Sequence, residues 1–133
     1  MTRDEFEAML QALAQGWAEK AYEKVASYYA EDLRYIDPLR YRFSSRTELL
    51  SFFSKEEAEE STVWHNILFD EERQLGAAEY TYEGKHRYHG TVLVKLRDGK
   101  ITHWREYQHT SELEWEDFWA GAAFSSAQSD ATD

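Results

Sequence analysis

The chain has 133 residues, 42% hydrophobic and 16% aromatic, with 26 acidic against 15 basic side chains and a formal net charge of −11. This is one domain's worth of chain with enough apolar content for a core, which excludes wholesale disorder. The acidity argues against nucleic-acid and membrane-surface partners, no run approaches the roughly 18 apolar residues of a membrane span, and the lack of cysteine excludes disulfides and thiolate chemistry.

The start, Met1-Thr2-Arg3-Asp4-Glu5, is polar and lacks the apolar stretch of a secretory signal, so the expected location is the cytoplasm. Thr2 and Glu5 have the spacing of a capping box, and Phe6, Met9, Leu10, Leu13 and Trp17 then recur at helical spacing, which predicts a helix from about Arg3 to Ala18. A second helix is expected from about Ala21 to Ala30. Leu33 to Asp37 reads as a short strand stopped by Pro38. Ser45-Arg46-Thr47-Glu48 is another capping box and opens a third helix carrying Leu49, Leu50, Phe52 and Phe53. The acidic run Glu56 to Glu60 reads as solvated. Four strands follow: Val63 to Phe69, Gly76 to Glu83, His86 to Leu96 and Lys100 to His109, with turn signals at Gly84-Lys85 and Asp98-Gly99. Trp115, Phe118 and Trp119 suggest one more helical turn. Residues 1–121 are expected to form a single domain and 122–133 a loose tail. Helices followed by an antiparallel meander make an α+β fold.

If both turns are two-residue loops, Leu93 faces Trp104, Thr91 faces Glu106 and Tyr80 faces His89. One face of the sheet then carries Tyr80, Tyr82, His89, Thr91, Leu93, Trp104 and Glu106. The other carries Tyr88, Val92, Val94, Ile101, His103, Arg105 and Tyr107. Both are substantially apolar, so helices are expected on one side and a second copy of the chain on the other, giving a homodimer through Val92, Val94, Ile101 and Tyr107. A one-residue bulge would exchange part of each set.

The order of elements resembles the SnoaL-like branch of the nuclear transport factor 2-like superfamily. The resemblance covers about Phe6 to His109. It rests on Tyr28-Tyr29-Ala30-Glu31-Asp32-Leu33-Arg34-Tyr35-Ile36-Asp37-Pro38, and on Asp98-Gly99-Lys100-Ile101 leading into Trp104-Arg105-Glu106-Tyr107. It implies a cone in which three N-terminal helices pack on a strongly curved antiparallel sheet around a deep pocket. Members include ketosteroid isomerases, limonene epoxide hydrolases, polyketide cyclases and non-catalytic domains. Asp37-Pro38 matches the place of the isomerases' general base, but Leu13 and Leu93 stand where their two oxyanion donors would be, and neither can donate a hydrogen bond. Tyr35, Asp37 and Glu106 match water-holding and water-activating places of the epoxide hydrolases. The arginine of those enzymes' second meander strand has no counterpart within Gly76 to Glu83.

The candidate acid/base residues are therefore Asp37 and Glu106. Glu106 is the more telling, because a carboxylate mid-strand between Trp104 and Gln108 is buried or faces a cavity, and burial suits it to proton transfer. Asp before Pro is also an ordinary turn feature. Trp17, Tyr29, Tyr35, Trp64, Tyr80, His89 and Trp104 are the candidate ligand-binding residues, each equally able to fill a core. His86 and His89 lie on opposite faces of one strand, so no metal set emerges, and no cofactor is expected. The leading expectation is a small-molecule-binding protein with a partly aromatic pocket for a small apolar or aromatic ligand. A cofactor-independent isomerase, cyclase, dehydratase or hydrolase using Asp37 and Glu106 is the first alternative, and a non-catalytic dimerisation module the second.

Overall fold

The computed structural model describes residues 1–119, so the tail expected over 122–133 lies outside the described residues. Helix α1 (Arg3–Ala18) starts at the expected capping box: Thr2 Oγ1 accepts from the Glu5 amide at 3.1 Å and Glu5 accepts from the Thr2 amide at 2.8 Å. Its stripe of Phe6, Met9, Leu10, Leu13 and Trp17 is buried. Helix α2 is only Tyr22–Ala26. The chain leaves it early because Tyr29 and Ala30 begin strand β1 (Tyr29–Asp37), where Tyr29 pairs with Ile101 and the Tyr28 carbonyl accepts from the Ile101 amide. After the turn at Pro38 a short strand β2 (Tyr41–Phe43), absent from the sequence reading, folds back antiparallel on β1. Helix α3 (Arg46–Phe53) is capped by Ser45 as expected.

Strands β3 (Ser61–Asp70), β4 (Leu75–Glu83), β5 (Arg87–Arg97) and β6 (Lys100–Thr110) form the meander, and a short helix α4 (Trp115–Trp119) follows. The six strands make one sheet in the order β2-β1-β6-β5-β4-β3, antiparallel except for β1 against β6. Helices α1, α2 and α3 cover the concave side, giving the α+β cone. Among the described residues, no helix is long and apolar enough to cross a membrane.

Two local features correct the proposed register. Asp98 and Gly99 both have positive φ, 52° and 76°, as a tight two-residue hairpin needs, and Arg97 faces Lys100 as expected. Thr102 then bulges: Leu96 pairs with Ile101 but Lys95 with His103, so Val94 faces Trp104 and Val92 faces Glu106. The other turn spans Gly84, Lys85 and His86, because Glu83 pairs with Arg87, which sets Tyr80 against Gly90 and Thr81 against His89. Val92, Val94 and Ile101 consequently have no exposure and belong to the core. Of the expected dimer face, Tyr107 alone points out, joined by Leu93 and Thr91, which were assigned to the inside.

Candidate functional site

The inner face of the sheet and helices α1 and α3 enclose a cavity of about 300 Å³. The walls come from six strands and two helices: Trp17 on α1, Tyr35 on β1, Tyr41 on β2, Phe52 and Phe53 on α3, Trp64 on β3, Tyr80 and Tyr82 on β4, Tyr88 on β5 and Trp104 on β6. These rings pack edge-on and stacked; Tyr35 and Trp104, for example, lie 5.9 Å apart with an 8° interplanar angle. Glycine at 90 makes this possible. A Cβ there would come within 2.8 Å of both the Tyr80 hydroxyl and Gln108, so any other residue would push Tyr80 out of place.

Glu106 lines this cavity at 5% exposure. The Tyr41 hydroxyl donates to its Oε1 at 2.8 Å, and the Tyr80 hydroxyl lies 2.8 Å from its Oε2. Tyr80 also lies 2.8 Å from Gln108 Oε1. The orientation of that amide is fixed by Asp37, since Gln108 Nε2 donates to Asp37 Oδ2 at 3.1 Å. Tyr80 has one hydrogen and two acceptors. Both contacts are satisfied together when Glu106 carries a proton, donates to Tyr80, and Tyr80 donates to Gln108. The balance of forces agrees: burial pushes the Glu106 carboxyl above its ordinary value, the hydroxyls of Tyr41, Tyr80 and Tyr35 pull it down, and the charge of Asp37 pushes it further up.

Asp37 is 3% exposed and stands behind the cavity wall. Its Oδ1 accepts from the Leu39 amide at 2.9 Å, the turn that Pro38 initiates, and its Oδ2 takes Arg40 Nη1 at 3.2 Å as well as Gln108. The two candidate carboxylates are thus joined through Gln108, but only Glu106 meets the cavity.

Of the other candidates, Trp17, Tyr35, Trp64, Tyr80 and Trp104 line the cavity. Tyr29 does not: it is fully buried in the core, packed on Tyr35, Phe53 and Trp104. His89 does not either. The three-residue turn puts it on the convex face, where Nδ1 meets Thr81 Oγ1 at 2.9 Å and Nε2 donates to the Leu113 carbonyl at 2.8 Å. Sequence reasoning also missed Tyr41, whose strand it did not see, and Glu60. The Glu56 to Glu60 run is not uniformly solvated: Glu57 and Glu59 are exposed, whereas Glu56 and Glu60 line the cavity. Gln108 was legible from its two-residue spacing to Glu106. Among the described residues, no group of three or more acidic or histidine side chains is placed to hold a metal ion.

Three cavity-lining residues carry buried polar atoms without a hydrogen-bond partner: Trp17 Nε1, Trp104 Nε1 and Thr62 Oγ1. The site therefore combines aromatic walls with a protonatable carboxyl.

A search of curated proteins finds no match. Several solved structures share the fold. One is an NTF-2 like protein of unknown function from Burkholderia xenovorans LB400, 19% identical, with a TM-score of 0.71, covering 91% of this chain and 98% of its own. Another is an LEH-like epoxide hydrolase from M. tuberculosis, 16% identical, with a TM-score of 0.68 and coverage of 77% and 80%. A third is a protein of ketosteroid isomerase-like fold from Catenulispora acidiphila in complex with trimethylamine, 16% identical, with a TM-score of 0.64 and coverage of 74% and 83%. At these identities the likeness concerns the fold. Residues 8–104 match the profile of the SnoaL-like domain, most of the chain, so the chain belongs to the SnoaL-like domain family.

Proposed function

We propose that this is a cytoplasmic small-molecule-binding protein whose ligand occupies the aromatic cavity beside Glu106. The observation that carries the reading is the cavity itself, walled by aromatic rings, with the buried Glu106 held on its wall by Tyr41 and Tyr80. A concave space of about 300 Å³ walled by rings, with a few convergent polar groups, is the form that small-molecule sites take. The indole N–H resonances of Trp17 and Trp104 test this. A fragment library rich in carbonyl and hydroxyl compounds is expected to contain members that shift both, and native mass spectrometry of the gently purified protein is expected to find a bound small molecule. A library that moves neither indole, together with an empty protein, would overturn the reading.

A second reading, acid/base catalysis without a cofactor, is favoured by the hydrogen-bond inventory at Glu106. A carboxyl whose hold on its proton is strengthened by burial can donate it to a substrate and recover it through Tyr80. In that case Glu106 is the proton carrier. Asp37, which does not reach the cavity, acts as a positioning residue that sets Gln108 and raises Glu106.

A further inference from the structure

A second carboxylate reaches the cavity, and like the first it is gripped by two tyrosines. Glu60 Oε2 accepts from the Tyr22 hydroxyl at 2.7 Å and Oε1 from the Tyr82 hydroxyl at 2.9 Å. Its side chain is 7% exposed. Glu56 lines the same space. Lys20 is the cation paired with Glu60, and Arg40 is committed elsewhere. Arg40 is paired with Asp37, donates to the Gln108 carbonyl at 3.3 Å and lies 4.9 Å over the Tyr88 ring. Lys20 donates to the Ala58 carbonyl at 2.6 Å and stands 3.9 Å from Glu60, and Lys55 is exposed at the edge.

The cavity is thus an aromatic box with carboxylates in its walls. A ring face attracts positive charge, and a desolvated carboxylate adds to that potential. A bare metal cation needs a shell of oxygen ligands, and no such cluster exists among the described residues. An alkylated ammonium is different: its methyl groups rest on rings, its hydration shell is weak, and its charge is spread over the surface that the rings touch.

Resting on the reading of this space as a ligand pocket, we propose that it takes an organic ammonium ion, with the charge facing Glu106 and Glu60. Proton release accompanies binding. The groups facing Glu106 are Tyr35 and Asp37 from β1, Tyr41 from β2, Tyr80 from β4 and Gln108 beside it, with Arg40 spent on Asp37. None supplies a free counter-charge. An entering ammonium does, so the carboxyl ionises, its proton passes to water, and the Tyr80 hydrogen turns from Gln108 Oε1 to Glu106 Oε2.

Choline and its uncharged isostere 3,3-dimethylbutan-1-ol form the test pair, titrated by calorimetry near neutral pH in two buffers of different ionisation enthalpy. Choline is expected to bind at least about tenfold more tightly, with proton release seen as a buffer-dependent heat. Glu106→Gln should abolish the release, and Glu60→Gln should weaken choline while keeping it. Equal affinity for the two compounds, with both shifting the Trp17 and Trp104 indole resonances, would overturn the ammonium proposal and leave the pocket standing. Failure of both compounds to move those resonances at saturating concentration would overturn pocket and proposal together. Should Glu106→Gln not fold, the charge preference in Glu60→Gln decides, because an unchanged preference also overturns the proposal.

Discussion

At Glu106, burial and hydrogen bonding pull the carboxyl in opposite directions, and burial prevails. The folded protein therefore holds a proton there that the unfolded chain gives up at its ordinary value of 4.5. Linkage fixes the sign. Between that value and the raised folded value the native state binds more protons, so this group's contribution falls as pH rises and is unfavourable at neutrality. Glu106→Gln is expected to stabilise the protein near neutral pH, and the gain should vanish below the ordinary carboxyl range, where both states are protonated. Thermal melts of both proteins across acid and neutral pH check this; a gain that persists in acid would refute the assignment. Because the charge of Asp37 raises Glu106, Asp37→Asn should lower the Glu106 value in a carboxyl NMR titration.

On the convex face, β3, β4, β5 and α4 meet in a chain of contacts. His65 Nε2 reaches Thr81 Oγ1 at 2.7 Å, Thr81 reaches His89 Nδ1 at 2.9 Å, and His89 donates to the Leu113 carbonyl. Trp115 stacks on His65 with centroids 3.6 Å apart, and Phe118 on His89 at 4.9 Å. Burial first, then the neighbouring His89, holds His65 down to about 4, against a small opposing pull from Glu116. An undocked α4 would release His65 toward its ordinary 6.5, so docking should weaken as pH falls from 6.5 toward 4. NMR titration of His65 in the native protein and in Trp115→Ala tests this: the substitution is expected to raise the value toward 6.5, and an unchanged value would refute the coupling. These elements also show what a sequence can carry. Capping boxes, the helical stripe of α1, the Asp98-Gly99 hairpin and a carboxylate flanked by Trp104 and Gln108 are local patterns, and they were readable. Turn length at Gly84 and the Thr102 bulge depend on long-range pairing, and each shifts a strand by one residue, which is why His89, Val92, Val94 and Leu93 changed sides. Tyr29 was misread because a fully buried ring and a pocket ring have the same sequence signature.

For the whole molecule, the outward face offers a different contact surface from the one expected. A shallow hollow there is lined by Ile36, Leu75 and Leu93 with Arg34, Lys95, His103 and Arg105 around them. Leu75 is 38% and Tyr107 50% exposed. A homodimer through this sheet face would seat Leu93 near its centre, and its cations would meet their copies, so association should strengthen with added salt. Sedimentation is expected to show a dimer that Leu93→Lys converts to monomer; a monomeric native protein would end the idea.

The parallel pairing of β1 with β6 has a consequence in time. Tyr29 lies against Ile101 and Tyr35 against Trp104, so the middle of the sheet joins chain segments that are among the farthest apart in sequence. Such contacts must overcome the loop-closure entropy of a long intervening chain before they return anything, which slows folding. During synthesis the wall between Tyr35 and Trp104 cannot close until nearly all of the described chain has emerged. No partly folded form can hold a ligand there, and a molecule that binds the finished cavity acts as a seal on the whole fold.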